Sequence, residues 1–361
     1  MDLLSDAIAA MRLGRPHYAR SERHAPWAVR HRPFAGAGFH LILEGRCWLI
    51  PADGEPTELQ AGDVAFLPHG SAHSMSADPA MPVADLPSAA LADPHHDDHP
   101  DGVAAGSRTV LLCGAYLMDR TRPHPLLREF PELVHLPARL GQHSSLRGAT
   151  ELLATELAEP RLGSDALLPV LLDALLLYVM RAWLDERPRR DATTGWTAAL
   201  QDPVIHAALQ GIHGAPHRPW TVAELGALAG LSRAAFARRF TTLVGQPPLS
   251  YLTWWRMTTA ARLLRDSDAP LRTVANRIGY TSEFAFSTAF KREHGLTPGA
   301  YRRRTASADL ETTDADTESG KPTRFGWVNS ASHRPGLRPA GRWVAVTPRS
   351  GRDDGGPPRS R

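Results

Sequence analysis

The sequence predicts an α+β protein of several domains: an antiparallel β-barrel with helices, an all-helical domain built from two related units, and a disordered tail. Three observations support this prediction. Residues 24–50 alternate between apolar and polar side chains and are broken by Gly and Pro, as short strands are. Residues 196–304 place apolar side chains at helical spacing, twice in the same pattern. Residues 305–361 are rich in Asp, Thr, Ser, Gly, Pro and Arg without apolar periodicity, which predicts disorder.

The first of the two helical units runs from Thr221 to Phe240. Thr221 can cap a helix, Gly230 permits a left-handed turn after it, and Ser232 can cap a second helix. On that second helix Phe236 and Phe240 are four residues apart, so both share the face that packs inward. The unit is therefore predicted to be a helix, a tight turn and a second helix whose outer face is open to a partner.

The second unit repeats the pattern after a proline that starts its first helix. Gly279 makes the turn, and Ser282 caps the second helix 50 residues after the serine of the first unit. Phe286 and Phe290 again face inward, and residues 250–267 predict one helix that links the units. One such unit is equally consistent with an interaction module whose phenylalanines only form a core. Two in tandem with matching caps favour a DNA-binding domain.

Charge is distributed unevenly, although the whole chain carries a formal net charge of only +3. Residues 1–195 contain 18 basic and 25 acidic side chains, a net charge of −7, whereas residues 196–304 contain 14 and 6, a net charge of +8. A basic domain joined to an acidic one is typical of a DNA-binding module attached to a second function. Cys47 and Cys113 lie in apolar strand-like runs and are expected to be reduced and buried.

The helical half resembles the DNA-binding domain of the AraC/XylS family of bacterial transcription regulators. The matching segments are YLTWWRMTTAARLL, then IGYTSEFAFSTAFKREHGLTP, then Tyr301-Arg302. The resemblance implies sequence-specific binding to double-stranded promoter DNA with both recognition helices in successive major grooves, and contact with RNA polymerase if the protein is an activator. The side chains that the motif positions place at DNA are Arg233, Ala234, Ala237, Arg238, Thr241, Glu283, Phe284, Ser287, Thr288, Lys291 and Arg302.

The amino-terminal half resembles the cupin-like sensor half of one AraC-type subgroup. The second cupin motif is matched at Gly62, Pro68, Gly70 and His73. Glu44-Gly45 predicts a hairpin turn, and strand alternation places His40, Ile42 and Glu44 on one face. We expect His40, Ile42 and His73 to form the pocket of a small-molecule effector, without a cofactor or a bound metal.

The rival function is a metal-dependent cupin enzyme, an oxygenase or an isomerase, fused to the DNA-binding module. Metal-binding cupins resemble one another in two histidines separated by one residue, followed by a glutamate. Here Gly38 takes the first place, His40 the second and Glu44 the third. With His73 the ligands number three, enough for a metal, but Glu44 precedes a turn and is expected to point to solvent. We therefore favour a regulator that is not an enzyme, with the two histidines lining an apolar barrel.

Helices are predicted again from residue 145 onward. Apolar side chains surround the helix at 165–186, so it must be buried on several sides, against its own barrel or against the second subunit of a homodimer. The apolar run 166–180 is too short to span a bilayer and is interrupted by Pro169 and Asp173, and no secretory signal opens the chain. We expect a cytoplasmic protein without membrane contact.

Composition predicts the domain limits. The His- and Asp-rich segment 93–102 can bind metal, although a solvated loop is favoured. Residues 196–220 are expected to form one helix that leads into the first helix-turn-helix unit. The expected limits are 1–140 for the sensor barrel, 141–188 for a helical dimerisation or packing segment, 189–195 for a linker, 196–304 for the DNA-binding domain and 305–361 for the tail.

Overall fold

The structure, a computed structural model, describes residues 2–81, 88–89, 106–118, 124–138, 142–186 and 195–305. The predicted tail beyond residue 305, the linker up to residue 194 and the His-rich segment 93–102 lie outside the described residues.

Within these ranges, ten strands form two five-stranded sheets. The strands are β1 (Arg12–His24), β2 (Ala28–His31), β3 (Gly36–Glu44), β4 (Arg46–Pro51), β5 (Thr57–Gln60), β6 (Val64–Leu67), β7 (His73–Ser76), β8 (Ser88–Ala89), β9 (Arg108–Met118) and β10 (Val134–Leu136). The first sheet has the order β1-β9-β3-β6-β10 and the second has the order β5-β4-β7-β2-β8. Every pair is antiparallel except β2 with β8. The fold class is confirmed, but as two facing sheets rather than one closed barrel.

The hairpin predicted at Glu44-Gly45 is wrong, because β3 and β4 lie in different sheets. Gly45 has a φ of +76° and carries the chain across the corner between them. A β-carbon at this position would overlap the carbonyl oxygen of Arg108 on β9, so both the backbone angle and the space require glycine. The sequence marks the turn correctly, but it does not show which strand each neighbour pairs with.

Two apolar cores lie on either side of the first sheet. The smaller one fills the space between the sheets and includes Ile42, Leu49, Met75 and Leu111. The larger one covers the opposite face of the first sheet with helices, and it contains residues such as Phe39 of β3. Strand alternation explains this division, because neighbouring residues of β3 point to opposite faces.

The helices that cover the first sheet are α1 (Leu3–Met11), α2 (Ser144–Ala158) and α3 (Ser164–Glu186), with a 3-10 helix at Pro125–Glu129. The hydroxyl of Tyr116 on β9 donates to the carbonyl of Leu172 on α3 at 2.5 Å. Trp183 stacks on Phe130 with ring centroids 3.8 Å apart. The apolar helix α3 was predicted to be buried against its own barrel or against a second subunit. These contacts show that it packs on its own sheet.

Helix α3 matches the helix predicted at 165–186, with Pro169 and Asp173 inside it. At 23 residues it is longer than the apolar run considered in the sequence, and it is long and apolar enough to cross a membrane by length and composition. The core helix of a globular domain passes the same test, and α3 is buried along the side that faces the first sheet. The carboxylate of Asp173 accepts a hydrogen bond from Arg12 of β1, so the charge inside this apolar helix is paired.

The remaining chain is helical from residue 196 onward. The helices are α4 (Trp196–Gln201), α5 (Pro203–Gly214), α6 (Val222–Leu228), α7 (Arg233–Val244), α8 (Pro248–Asp266), α9 (Leu271–Arg277), α10 (Glu283–His294) and α11 (298–305). The single helix predicted for 196–220 is wrong, because Asp202 caps a new helix that begins at Pro203. A proline fits the first position of a helix but not its interior.

We predict that Gly45→Ala destabilises the protein much more than Gly14→Ala. Both glycines have a positive φ, +76° and +65°, but no atom lies within 4 Å of a β-carbon added to Gly14. The control, Gly14→Ala, should therefore lose only about 1–2 kcal/mol of unfolding free energy, the cost of placing alanine in a left-handed backbone conformation. Gly45→Ala should lose more than about 3 kcal/mol, because the carbonyl of Arg108 must also move. Urea unfolding of both variants measures the difference, and equal losses would contradict the corner geometry.

Candidate functional site

The first helix-turn-helix unit consists of α6 and α7. Thr221 and Glu224 form a capping box: the threonine hydroxyl accepts from the Glu224 amide at 3.1 Å, and the glutamate accepts from the Thr221 amide at 2.8 Å. Gly230 has a φ of +66°, and the Ser232 hydroxyl accepts from the Ala235 amide to start α7. These caps and the turn match the sequence prediction.

The second unit, α9 and α10, has the same construction. Ser282 caps α10 by accepting from the Ala285 amide, and Gly279 has a φ of +85°. The phenylalanine pairs of both units are fully buried, with ring centroids 5.5 Å apart in α7 and 5.7 Å apart in α10. Helix α8 joins the units as one element of 19 residues. Because each pair fixes which side of its helix faces inward, it also fixes the side left for a partner.

The outer sides of α7 and α10 carry the side chains that the motif places at DNA. Exposed members are Arg233, Ala234, Arg238, Thr241, Glu283, Phe284, Thr288 and Lys291, and partly buried members are Ala237, Ser287 and Arg302. Phe284 is 82% exposed, which is unusual for an aromatic side chain of this size. Arg302 lies on α11 and donates to the carbonyl of Ala269 at 2.6 Å, so part of its guanidinium is committed to the protein. The DNA contacts of all eleven residues stay predictions.

A cavity of about 250 Å³ opens between the two sheets of the amino-terminal half. Its lining includes His31 of β2, His40 of β3 and His73 of β7, together with Cys113 of β9 and Trp27. Two of these histidines, His40 and His73, were predicted as pocket residues. His31 was not predicted as a pocket residue; the pairing of β2 with β7 places it directly opposite His73.

One of the predicted pocket residues is corrected by the structure. Glu44 points away from the cavity, as its place before the turn predicts, with 56% of its side chain exposed and its carboxylate bonded to Arg108. Ile42 shares the strand face of His40, but it is fully buried in the core between the sheets and does not line the cavity. The space next to His40 and His73 is occupied by the ring of His31 instead, which stacks on His73 with centroids 4.7 Å apart.

Hydrogen bonds fix the tautomers of the two central histidines. His73 Nδ1 lies 2.8 Å from the carbonyl oxygen of Ser71, which can only accept, so Nδ1 carries the proton. His73 Nε2 then accepts, and His40 Nε2 donates to it at 2.7 Å. His40 Nδ1 is left as the acceptor for the thiol of Cys113 at 2.9 Å. Burial raises the pKa of this thiol to about 12, so the thiol keeps its proton.

All three histidines of the cavity are held neutral. Burial, together with the smaller effects of the nearby His73 and Arg23, lowers the pKa of His31 to about 3. Burial places the pKa of His40 well below its ordinary value and also lowers that of His73, against the opposing hydrogen bond to Ser71. The cavity therefore presents neutral imidazoles near pH 7, with nitrogen lone pairs rather than positive charges.

Comparisons with known proteins agree with both halves. A cupin family model matches residues 2–185, and a helix-turn-helix domain model matches residues 225–304. An AraC-like transcription regulator of Streptomyces antibioticus is 35% identical over 309 residues, which are 84% of this chain and 99% of that protein. This chain belongs to the AraC-like family of transcription regulators.

Two further similarities accompany this assignment. The HTH-type transcriptional regulator AlkR of Acinetobacter baylyi is 29% identical over 308 residues, covering 84% of this chain and 100% of that one. The DNA-binding domain of AdpA, a global transcriptional factor solved in complex with a target DNA, is 34% identical and covers 30% of this chain and 96% of that chain, with a TM-score of 0.28. The two family models and the Streptomyces relative identify the chain as an AraC-type, DNA-binding transcription regulator with an amino-terminal cupin-like half.

In this AraC-type regulator the two halves make specific polar contacts. Glu129, at the end of the 3-10 helix, accepts from the amides of Trp196 and Thr197 and, at 2.6 Å, from the Thr197 hydroxyl. A carboxylate at this position caps the first turn of α4 and complements its dipole. Asp6 of α1 lies 3.4 Å from His213 of α5. These residues could not be predicted from the sequence pattern, because their partners are far away in the chain.

We predict that the cavity histidines make stability depend on pH. Their pKa values are lower in the folded chain than in the unfolded chain, so unfolding takes up protons below about pH 6.5. The free energy of unfolding is therefore highest above that pH and falls as the pH decreases toward the folded pKa, which is about 3 for His31. Each histidine adds at most about 1.4 kcal/mol per pH unit.

Urea unfolding of His31→Gln between about pH 6.5 and 4.5 tests this dependence, because the variant should lose part of the slope that the parent protein shows. His24→Gln is the matched control, since it removes an imidazole of the same half that does not line the cavity. A slope that is unchanged in His31→Gln would mean that His31 takes up a proton in the folded protein as readily as in the unfolded chain.

Proposed function

We propose that this regulator reads promoter DNA with α7 and α10 and is regulated by a small molecule bound between its sheets. The DNA-binding part of this proposal rests on one observation. In both α7 and α10 a pair of phenylalanines is buried on one side of the helix, which leaves the opposite side exposed. Helix α8 has 19 residues, about 28 Å at 1.5 Å per residue. With its flanking turns it suits two helices placed one groove repeat, about 34 Å, apart on one side of the duplex.

Arg238 is the strongest candidate for a base contact. It lies on α7 opposite the buried phenylalanines and is exposed, and its planar guanidinium can donate two hydrogen bonds to a guanine edge. Its neighbour Arg239 is less suited, because it is bonded to Asp202 at 2.5 and 2.8 Å. On α10 the exposed Phe284 offers an apolar contact, such as one with a thymine methyl group.

Regulation rather than catalysis is the function proposed for the cupin-like half. The glutamate that metal-dependent cupins use as a ligand corresponds to Glu44, which is turned outward and bonded to Arg108. The cavity instead combines an apolar wall with a few buried hydrogen-bonding groups, as small-molecule sites do. His40 and His73 are the proposed effector contacts.

A contiguous set of contacts leads from this cavity to the DNA-binding domain. His73 is bonded to Ser71, whose hydroxyl donates to Glu132. In the same loop His69 is bonded to the carbonyl of Phe130 at 3.0 Å. Phe130 directly follows Glu129, the residue that caps α4, and Glu132 lies three residues after it. A ligand that moves His73 would therefore move the loop 69–73 and the support of α4 together.

A second copy of the chain is the proposed partner of the outer side of α3. Leu167 and Val170 are exposed apolar side chains in the first turns of this helix, and Leu162 in the turn before it and Leu152 of α2 are also exposed. Exposed apolar side chains that lie close together mark interaction surfaces. We place the protein in the cytoplasm, where a promoter-bound activator would also meet RNA polymerase.

We predict that Arg238→Ala relaxes sequence preference at one or two base pairs, with a loss of discrimination of roughly 1–3 kcal/mol. Lys291→Ala should instead weaken binding to all sequences alike and reduce the salt slope by about 1, as the loss of a phosphate contact does. Lys291 is preferred to Arg302 for this comparison, because replacing Arg302 also breaks its bond to Ala269. Selection from a random duplex library at two salt concentrations measures both effects. Equal and sequence-independent losses would remove base reading from Arg238.

We predict that Glu129 couples the cavity to DNA binding. His73→Ala and Glu129→Ala should each change DNA affinity, and their combination should differ from the sum of the single effects by more than about 0.5 kcal/mol. Glu159→Ala is the matched control, because this exposed glutamate of the same half only pairs with Arg161. Dissociation constants for a selected duplex, arranged as a double-mutant cycle, give the coupling energy. Strict additivity of the two substitutions would exclude this route.

A further inference from the structure

The cavity of the cupin-like half holds three imidazoles from two sheets. His40 comes from β3 of the first sheet, whereas His31 and His73 come from β2 and β7 of the second. One nitrogen of each ring lies within 4.8 Å of a nitrogen of both others. His31 belongs to neither cupin motif, so this set differs from the one that the motifs predict.

The spacing suits a single small cation. A tetrahedral zinc ion with bonds of about 2.0–2.1 Å separates its ligand nitrogens by about 3.3 Å. The hydrogen-bonded nitrogens of His40 and His73 are 2.7 Å apart, and one nitrogen from each of the three rings lies within 4.8 Å of the other two. One ion is therefore within reach of all three rings once His40 and His73 turn slightly apart.

The outer contacts of two rings orient nitrogens toward the centre of the cluster. His73 donates from Nδ1 to the Ser71 carbonyl, which leaves the lone pair of Nε2 available. Metal-binding histidines are usually held by such a bond to a carbonyl or carboxylate. His40 needs one change, the transfer of its proton from Nε2 to Nδ1, where it can be donated to the sulfur of Cys113.

The ligand types restrict the identity of the ion. Among the described residues the cluster contains only imidazoles, whereas magnesium and calcium prefer oxygen ligands and the non-haem iron oxygenases use a carboxylate beside two histidines. Neutral imidazoles suit zinc and its neighbours in the first transition row. Three protein ligands leave a fourth position open toward the cavity. Arg23 also lines the cavity, so an anionic fourth ligand would be favoured there.

We propose that His31, His40 and His73 bind a divalent ion of the zinc class, and that this ion is the regulatory ligand of the cavity or anchors it. The proposal rests on the regulatory role given to this cavity above. An ion held there bonds both sheets at once and fixes His73, the first residue of the contacts that lead to α4. It also replaces the hydrogen bond between His40 and His73 by bonds to a common centre.

The test titrates the full-length, chelator-treated protein with Zn²⁺ alone in competition with a chromophoric chelator. We expect one tight equivalent in the parent protein, and in His31→Gln a loss of affinity of more than about 100-fold, since changes outside the ligand shell already cost about 10–100-fold. His24→Gln and a variant in which His95, His96 and His99 are all Gln should bind as the parent does. Far-ultraviolet circular dichroism confirms that each variant is folded. Equal zinc binding by His31→Gln and the parent overturns the site.

Cobalt(II) identifies the ligands by spectroscopy. Cobalt in the site should show the visible absorption of a tetrahedral ion without the near-ultraviolet band of a cobalt–thiolate bond, and Cys113→Ser should leave this spectrum in place. A thiolate band that disappears in Cys113→Ser would overturn the three-nitrogen set, because the sulfur would then be a ligand.

Measuring the affinity for a selected DNA duplex, with and without zinc, distinguishes the metal site from the regulatory role of the cavity on which the proposal rests. Zinc that changes DNA affinity in the parent but not in His31→Gln supports both. An organic compound that changes DNA affinity through His73, in a protein that binds no zinc, overturns the metal site and leaves regulation by the cavity standing. Tight zinc binding at the three histidines without any effect on DNA affinity supports the site and overturns its regulatory role.

Discussion

One continuous apolar core joins the sensor half to the first helix-turn-helix unit. The cluster that covers the outer face of the first sheet continues through α1 and α3 into α5 and α7, and it includes both phenylalanines of α7. The second unit has a core of its own, formed by α8, α9, α10 and Tyr301. Because close-packed cores resist small displacements, the first unit is fixed to the sensor half more firmly than the second.

Helix α8 belongs to both cores and so sets the relation between the two units. Trp254 and Trp255 near its start are buried in the shared core, whereas Ala261 and Leu264 near its end are buried in the second. The helix therefore transmits orientation as well as distance, since its two ends are each held by packing on several sides. The orientation of α10 then depends on contacts made about 15 Å away along α8, since Trp254 and Leu264 are ten residues apart at about 1.5 Å per residue.

What the sequence predicted well is local. The caps at Thr221, Ser232 and Ser282 and the phenylalanine pairs depend on partners within four residues, so their spacing determines their contacts. The resemblance to a known family added the order of the domains. What the sequence did not predict is non-local. Gly45 marks a turn in either topology, and only strand pairing decides whether that turn closes a hairpin or crosses between sheets.

The histidine cluster follows the same rule. His40 and His73 belong to the cupin motifs and could be predicted from them. His31 joins them only because β2 pairs with β7 in a register that places His31 opposite His73. Conversely, Glu44 fits the motif by spacing and is removed from the site by Arg108, a residue 64 positions later. The break at Asp202-Pro203 was visible in the sequence, and the prediction of one continuous helix there gave too little weight to proline.

The contact at Glu129 has the right strength to carry a regulatory signal. Coupling between two sites is typically about 1–3 kcal/mol, and hydrogen bonds to a charged group contribute about 1.5–3 kcal/mol each. Glu129 makes several of these bonds to one helix start, so weakening one of them changes the energy of the interface by the amount that regulation requires. A much stronger interface would hold α4 in one position whatever happened in the cavity. A purely apolar interface would allow small shifts of the loop without any change in the position of α4. The charged cap between the cavity loop and the DNA-binding domain is therefore the contact through which the proposed regulation would act.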